Sequence, residues 1–201
     1  MNATTTDHDA DKLRQEILNA AHARFLRYGF SKTTMAEIAK DVSMSAANLY
    51  RYFKNKQEIT SACACRCMAS RLEHLKTAVR QNHLSASQRL LAFAVEGYRH
   101  NRDIMQNTPK INELVENITS NNPDLVHANM KAQIALIAEI LAYGNETAEF
   151  SVEDIISTAE TLYITLLLFD VPIFLPLFTE KEFEAKAQRV VTLLIAGIRK
   201  H

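Results

Sequence analysis

The chain has 201 residues, with 23 Lys plus Arg and 23 Asp plus Glu, so its formal net charge at pH 7 is zero. With only 4 Gly, 4 Pro and 3 Cys, it is not a collagen-like, low-complexity or disulfide-framework protein. The length fits one large domain, or a small domain joined to a larger one. Taken over the whole chain, the zero net charge argues against a nucleic-acid partner.

The N-terminal segment predicts a protein that is not exported. Residues 1–11 are polar and acidic, without the basic region and apolar run of a secretory signal. The most apolar window, residues 161–178, is shorter than the roughly 20 residues of a membrane span and contains Asp170, Pro172 and Pro176. We therefore expect no membrane partner. Three thiols within residues 63–67 favour a reducing cytoplasm.

Capping patterns and apolar spacing predict helices throughout the chain. Thr34 precedes Glu37 by three residues, which is a capping box. The same or a close pattern begins at Asn55, Ser85, Ser151 and Thr179, and proline follows a polar residue at Thr108-Pro109 and Asn122-Pro123. Apolar residues recur at helical spacing, and no stretch alternates as a strand would.

The predicted fold class is all-α with about nine helices. We expect helices near residues 11–28, 34–41, 45–52, 55–82, 85–105, 109–118, 123–143, 151–170 and 180–199. The short helices cluster in the first quarter of the chain and the long ones follow. The predicted organisation is therefore a disordered tail at 1–10, a small three-helix domain at 11–56, and a larger helical bundle at 57–201.

Charge also divides the chain near residue 56. Residues 1–11 carry three acids and no base, residues 12–56 carry nine Lys or Arg against three acids, and residues 57–201 carry fourteen against seventeen. The net charges of these segments are therefore −3, +6 and −3. A basic segment at one end permits phosphate binding that the overall neutrality conceals.

Within the basic segment, residues 34–41 and 45–52 form two short helices joined by a tight turn. That arrangement is a helix-turn-helix, whose second helix enters the major groove of DNA. We expect Ile38, Ala39, Val42, Leu49 and Phe53 to pack the pair onto the first helix, which leaves Ala46, Ala47, Asn48, Arg51 and Tyr52 facing outward. Asn and Arg can make paired hydrogen bonds to bases, and small groups can contact thymine methyls.

The residues of this segment closely resemble the N-terminal DNA-binding domain of the TetR family of bacterial transcriptional regulators. The resemblance covers roughly residues 12–60 and is carried by Gly29-Phe30, Thr33-Thr34, Ile38-Ala39, Val42-Ser43, Leu49-Tyr50-Arg51-Tyr52-Phe53 and Lys56. Asp41 and Ala47 depart from it, since glycine often stands at both positions. The rest of the chain resembles the family only in the number and length of its helices.

The resemblance implies a DNA-binding surface. Thr34, Tyr50, Tyr52 and Lys56 would hold phosphates, and Ser45, Ala46, Ala47, Asn48 and Arg51 would lie nearest the bases. Thr33 and Lys54 complete the predicted set. Arg51 and Asn48 are the candidates for sequence choice, although either could bind phosphate instead. The partner would be a two-fold symmetric operator in double-stranded DNA.

The last two predicted helices, 151–170 and 180–199, carry too much apolar surface for one face. The first is apolar nearly all round, and the second has an additional stripe through Val191 and Ile195. Packing against a second copy of the chain would bury this surface, and the resemblance implies such a homodimer. The alternative is that both helices lie at the centre of a monomer.

An input site is predicted among aromatic and polar residues of the middle helices. The candidates for an apolar small-molecule pocket are Phe93, Tyr98, Met105, His127, Met130, Tyr143, Tyr163 and Phe169. Each could equally be ordinary core, and His127 could lie at the surface. Cys63 and Cys67 share a helix face while Cys65 points away, a spacing that would suit a metal or redox sensor or simply a buried hydrophobe.

The sequence therefore predicts a DNA-binding transcriptional regulator, a repressor by resemblance, that a small-molecule inducer releases. No metal or cofactor is expected. The alternatives are a thiol- or metal-sensing regulator using Cys63, Cys65 and Cys67, and an all-α small-molecule-binding protein without a DNA role. An enzyme has no support, because the sequence presents no nucleophile–base arrangement, phosphate loop or paired carboxylates.

Overall fold

A computed structural model describes residues 3–107, 110–167 and 179–199, and the side chains of 8–102, 110–167, 179 and 181–199. These residues form nine α-helices: α1 Ala3–Tyr28, α2 Met35–Asp41, α3 Ala46–Leu49, α4 Lys56–Val79, α5 Ala86–Asn107, α6 Ile111–Asn121, α7 Pro123–Glu146, α8 Ile155–Leu166 and α9 Glu180–Ile198. Their sole β-type pairing is an isolated bridge between Phe150 and Arg199. The prediction of an all-α fold is confirmed.

The first helix is longer than predicted. α1 begins at Ala3, so residues 3–10, which we expected to be a disordered tail, are helical. No Gly or Pro interrupts residues 3–28, and each residue added to an existing helix gains one backbone hydrogen bond.

Two helix starts show which capping predictions were right. Thr34 accepts a hydrogen bond from Glu37 N while Glu37 accepts one from Thr34 N, so the predicted capping box is present. α8 starts later than predicted, because its cap is the side chain of Asp154, which accepts from Ser157 N at 3.0 Å. Ser151 therefore precedes the helix instead of capping it. The predicted start at Thr108-Pro109 lies outside the described residues.

The helices form two compact units, neither of which is continuous in sequence. The head unit comprises residues 1–67 and 108–126, and the body unit comprises residues 68–107 and 127–201. The predicted boundary at residue 56 therefore differs from the structural division. The sequence-based boundary missed that α6, although distant in sequence, packs within the head unit.

The core of the head unit joins α1, α2, α3 and the beginning of α4. Its fully buried side chains include Ile17, Phe25, Ile38, Leu49 and Phe53. Burying such side chains contributes about 1.5–3 kcal/mol each. Ile38, Ala39, Leu49 and Phe53 therefore have the packing role predicted for them, and Val42 packs against them half-buried.

The core of the body unit is built by α5, α7, α8, α9 and the second half of α4. Tyr98 of α5 stacks on Phe183 of α9, with ring centroids 3.8 Å apart. After α7, Phe150 packs so closely on Gly144 that a Cβ there would lie 2.1 Å from the ring. The neighbouring Glu149 accepts hydrogen bonds from Ala86 N and Ser87 N, which caps the start of α5.

One described helix, α7, has the length and apolar composition of a membrane span. One such helix is weak evidence for a membrane, since the core helix of a water-soluble protein passes the same test. Here Leu136, Ile137, Ile140 and Leu141 are buried within the body unit. The more apolar window at 161–178 lies partly outside the described residues.

Candidate nucleic-acid interface and ligand pocket

The turn between α2 and α3 sets the geometry of the helix-turn-helix. Ser43 takes a left-handed backbone with φ 54°, which reverses the chain after α2. Ser45 then caps α3 by accepting a hydrogen bond from Asn48 N at 3.1 Å. Asp41, where glycine is common in the family it resembles, remains helical, so the left-handed position falls two residues later.

Most of the predicted DNA-binding residues lie at the surface of the head unit. Tyr50 is 53% exposed, which is unusual for a large aromatic side chain. Exposed with it are Thr34, Ser45, Ala47, Arg51 and Lys54, while Ala46, Asn48 and Tyr52 are half-buried. We call these nine residues the α2–α3 surface.

Two predicted contacts are placed differently. Thr33 is 0% exposed, and its hydroxyl donates to the carbonyl of Gly29 at 2.8 Å, so it serves the loop and is left out of the α2–α3 surface. Lys56 is half-buried, and its Nζ donates to the carbonyls of Phe30 and Thr33 at 2.7 and 2.8 Å. Burial lowers the pKa of Lys56, partly opposed by the nearby Glu113 and Glu37 carboxylates.

Glu113 of α6 is a functional candidate that sequence reasoning missed. Its Oε1 accepts a hydrogen bond from Ser31 N at 2.6 Å, and hydrogen bonding to Ser31 lowers the pKa of the carboxyl. Gly29 beside it has φ 89°, and a Cβ there would lie 2.3 Å from Glu113 Oε2. Ser31 and Glu113 are 82 positions apart, and no sequence signal links them. The contacts that Glu113 and Lys56 make with the 29–33 loop therefore depend on the tertiary structure.

Arg24 offsets part of the acidic charge at the surface of the head unit. Arg24 of α1 pairs with Glu37 at 3.3 Å and with Asp41, and the Asp41 hydrogen bond raises the pKa of Arg24. The single positive charge of Arg24 thus lies against two of the three acids in residues 12–56, and the three groups together keep one net negative charge. Arg51 and Lys54 lie exposed in the same unit, so their positive charges favour binding of an anion such as a phosphate.

The body unit has a small cavity of about 10 Å³, room for about one water. Of the predicted pocket residues, Phe93, Tyr98 and Tyr163 line it. His127 is exposed, and Met130 and Tyr143 are half-buried away from it, Tyr143 beneath the guanidinium of Arg89. Met105 and Phe169 lie outside the residues whose side chains are described.

Two polar residues that were not predicted also line the cavity. Arg71 Nη1 of α4 donates to Gln133 Oε1 of α7 at 3.0 Å. Gln133 is 1% exposed, and its Nε2 has no hydrogen-bond partner. A buried glutamine in an apolar helix was the available signal, but only the fold brings it to Arg71.

The three thiols do not resemble a sensor. Burial raises the pKa of Cys63 to about 12 and raises that of Cys67, so both are protonated near neutral pH, whereas reactive thiols have lowered pKa values. Cys67 Sγ lies 3.5 Å from His22 Nε2, and Cys65 is exposed as predicted. Within the described part of the chain, no group of three or more His, Cys, Asp or Glu could hold a metal ion.

The last two helices keep apolar side chains at the surface. Ile156 and Ile164 of α8 are 60% and 66% exposed and lie eight residues apart on one face, and Leu193 of α9 is 73% exposed. Beside Leu193, Gly197 has open space where a Cβ would stand. Exposed apolar residues at this spacing favour a partner surface.

Two family models match the chain over both parts of this architecture. Residues 17–63 match "Bacterial regulatory proteins, tetR family", and residues 86–191 match "Tetracyclin repressor-like, C-terminal domain". The chain belongs to the tetR family. The resemblance noted from residues 12–60 therefore extends through the body of this tetR-family protein, and the family comprises DNA-binding regulators, not enzymes.

A curated relative agrees with this assignment. The HTH-type transcriptional regulator TtgR of Pseudomonas putida is 33% identical over 57 residues, which are 28% of this chain and 27% of TtgR. This chain thus aligns with about a quarter of the curated relative's length.

Structural similarity is far more extensive. A transcriptional regulator from Cytophaga hutchinsonii has a TM-score of 0.70 at 23% identity, over 92% of this chain and 97% of that one. The regulator FadR from Bacillus subtilis, solved with stearoyl-CoA, has a TM-score of 0.66 at 16% identity, over 92% and 99%. At these identities the likeness shows the fold.

Proposed function

We propose that this protein is a ligand-responsive transcriptional repressor that binds a two-fold symmetric operator through the α2–α3 surface. The observation that carries the proposal is the head unit itself. It presents exposed Tyr50, Arg51 and Lys54 around a capped helix-turn-helix, within a chain that belongs to the tetR family. Repression is the sign expected from the C-terminal match to the tetracycline-repressor-like domain.

Each part of the α2–α3 surface has a proposed task. Tyr50, Tyr52, Thr34 and Lys54 hold phosphates, which fix the register of the protein on the duplex and supply salt-dependent affinity. In the free protein the Thr34 hydroxyl donates to Glu37 Oε2 at 2.9 Å, so a phosphate would exchange with that carboxylate.

Base contacts fall to α3. Arg51 and Asn48 read base edges, and Ala46 and Ala47 contact thymine methyls. Lys56 has a supporting role, because its Nζ donates to the carbonyls of Phe30 and Thr33 in the loop that positions Thr34. Its remaining N–H can reach a phosphate. Two such surfaces are needed for a two-fold symmetric site, with half-sites about 34–36 Å apart.

A homodimer through the exposed faces of α8 and α9 supplies the second surface. Ile156, Ile164 and Leu193 are the proposed contacts.

The inducer binds the body unit. It binds the conformation with weak DNA affinity more tightly than the conformation with strong DNA affinity, and the ratio of its two affinities sets how far it lowers DNA binding. A partner in DNA makes the cytoplasm the proposed location.

The test begins with selection of bound DNA from genomic fragments, followed by fluorescence anisotropy on the selected site. We expect Arg51→Ala and Tyr50→Ala each to weaken binding about tenfold or more, since the dimer loses each contact twice. Lys131→Ala, which removes an exposed charge from the body unit, is the matched control and should leave affinity unchanged.

Two outcomes would contradict the proposal. If Arg51→Ala and Tyr50→Ala bind like the unmodified protein across a salt titration, the α2–α3 surface is not the docking surface. If no two-fold symmetric fragment is selected at low salt, the chain is an all-α small-molecule-binding protein without a DNA role.

A further inference from the structure

We propose that two opposite charges, Glu160 of one subunit and Arg189 of the other, select a second copy of this chain as the partner of the α8–α9 face. That face is formed by the exposed side chains of Ile156, Ile164 and Leu193. The inference rests on the proposed function, because it concerns the homodimer proposed there. It adds the residues that make the interface specific for an identical subunit.

Glu160 stands in the middle of the exposed apolar stripe of α8. Ile156, Glu160 and Ile164 follow one another at intervals of four residues, so they lie on one side of the helix. Both isoleucines are exposed, and so is the glutamate between them. Glu160 is also the single charged residue of Ile155–Leu166. A partner that covers the two isoleucines must therefore also accommodate this carboxylate.

Arg189 has the corresponding place in α9. It lies four residues before Leu193, on the same side of the helix, and both side chains are exposed. The rest of α9, residues 190–198, carries no charged side chain. Arg189 is thus the basic residue nearest in sequence to the exposed apolar part of α9.

The two charges lie along the same stretch of the body unit but do not pair within one chain. The start of α8 lies beside the end of α9, where Ser151 N donates to Ile198 O at 2.9 Å. At 1.5 Å per residue, Glu160 lies about 8 Å along α8 from its first residue, and Arg189 lies about 14 Å along α9 from Ile198. In the part of the chain that the structure describes, neither side chain forms an ion pair or a hydrogen bond.

Two-fold symmetry makes a surface with these two charges complementary to itself. In an isologous interface the same surface of both subunits meets. Charges of one sign would repel their own copies, whereas one acid and one base can form two equivalent pairs, Glu160 with the partner's Arg189 and Arg189 with the partner's Glu160. The pairs offset the cost of covering two charges, and a subunit of different sequence leaves both charges unpaired.

The experiment reverses each charge and compares homodimers with mixtures. We expect Glu160→Lys and Arg189→Glu each to weaken the homodimer tenfold or more, because like charges then meet twice. Mixing the two variants should restore nearly the unmodified affinity, since the introduced lysine faces the introduced glutamate and the original pair also forms. Sedimentation equilibrium measures the affinities, and native mass spectrometry with a tag on one chain counts the heterodimers. Lys131→Glu reverses an exposed charge on α7 as the control and should leave the homodimer unchanged.

The mixture decides whether the pair forms between chains. A pair within one chain would gain nothing from mixing, because each chain would keep its own two like charges. Thermal unfolding of each variant checks that it folds. If a reversed charge prevents folding, Glu160→Gln and Arg189→Gln replace the reversals. Each should weaken the homodimer threefold or more, because a covered charge then lacks its partner.

The inference is overturned if the single variants dimerise as tightly as the unmodified chain, or if heterodimers in the mixture do not exceed their statistical share. The homodimer of the proposed function stands in both cases. A monomeric unmodified chain rejects the homodimer and this inference with it. Anisotropy on the selected DNA separates the remaining case, since charge pairing without DNA binding rejects the repressor and leaves the pair standing.

Discussion

The head and body units place their candidate functional residues in opposite ways. In the head unit, Tyr50, Arg51 and Lys54 lie within five residues of one another and at the surface. In the body unit, Arg71 and Gln133 are 62 positions apart and meet in the core. Residues close together in sequence can form a DNA-binding surface, because a short helix exposes several neighbouring side chains on one face. A ligand pocket is enclosed from several helices, so its residues are dispersed along the chain.

Hydrogen bonds from residues distant in sequence support both units, at different places. The head unit has support from distant residues where Glu113 of α6 accepts from Ser31 N in the loop before α2, and where Asn122 accepts from Gln57 and Ser61 of α4. The body unit has such support at the start of α5, where Glu149 accepts from Ala86 N and Ser87 N in addition to the local cap at Ser85. Substitutions at three places in the molecule can break or sharpen this contrast.

The largest effect is expected at the proposed dimer face. Ile164→Glu and Leu193→Glu together place charges on two exposed apolar positions, 66% and 73% exposed in the single chain. Burying unpaired carboxylates in an interface is costly, so the dimer should dissociate. Operator affinity should then fall by about two orders of magnitude or more, because each head unit contacts one half-site.

Sedimentation velocity measures the dimer, and anisotropy measures the DNA affinity. The control is Lys131→Glu, which adds a carboxylate at an exposed position of α7, outside the proposed face. If the double variant remains a dimer, the interface lies elsewhere.

An intermediate effect is expected at Gly29. Gly29→Ala places a side chain at φ 89° and toward the Glu113 carboxylate, which should destabilise the head unit by about 1–3 kcal/mol. Glu113→Ala removes the collision but leaves the backbone strain. The double variant should therefore lose less free energy of unfolding than the sum of the two single variants.

Denaturant unfolding of all four proteins measures this coupling. Strict additivity would mean that Glu113 does not constrain the loop. A readout of operator affinity on the same variants shows whether the loop also positions Thr34 for DNA.

The smallest effect is expected in the body unit at Glu149. Hydrogen bonds from Ser87, Ala86 and Ser85 outweigh its desolvation and lower the pKa of the carboxyl. Glu149→Gln should therefore reduce the free energy of unfolding by about 1 kcal/mol at neutral pH.

The pH dependence follows from the direction of that shift. A carboxyl whose pKa is lower in the folded protein contributes stability above its unfolded pKa and loses it as pH falls through the folded pKa. The difference between the unmodified protein and Glu149→Gln should thus shrink in acid. Chemical denaturation over a pH series measures it, and a difference that stays constant with pH would mean that the charge of Glu149 has no role in capping α5.

Much of the fold could be predicted because its signals are local. Capping oxygens at Thr34, Ser85 and Thr179 each sit where the structure begins a helix, and apolar spacing assigned the core faces of α1 and α2. The extent of α1 could not be predicted in the same way. Its first turn contains no acidic residue, and no Gly or Pro separates residues 3–10 from the rest of the helix, so backbone hydrogen bonding extends the helix to Ala3.

For the candidate sites too, local features could be predicted from the sequence and tertiary contacts could not. Exposure of Arg51 was foreseeable from the period of a single short helix, and Tyr50 was named only through the family resemblance. Burial of Thr33 was not foreseeable, since its hydroxyl turns inward to Gly29. Among the pocket candidates, Phe93, Tyr98 and Tyr163 were chosen for being aromatic, and so was Tyr143, which packs against Arg89 instead. Residue type alone does not say which helix face meets another.

The sequence by itself determined the all-α class, the basic segment and the helix-turn-helix, because periodicity, caps and charge act over a few residues. Tertiary structure decided that α6 belongs to the head unit, that Glu113 holds the loop at Gly29, and that Arg71 orients the amide of Gln133. Each of these joins residues more than sixty positions apart, and such contacts arise only when helices pack. The zero net charge shows the same division: its sum conceals the basic segment, and only the fold pairs Arg24 with the acids that would have weakened it.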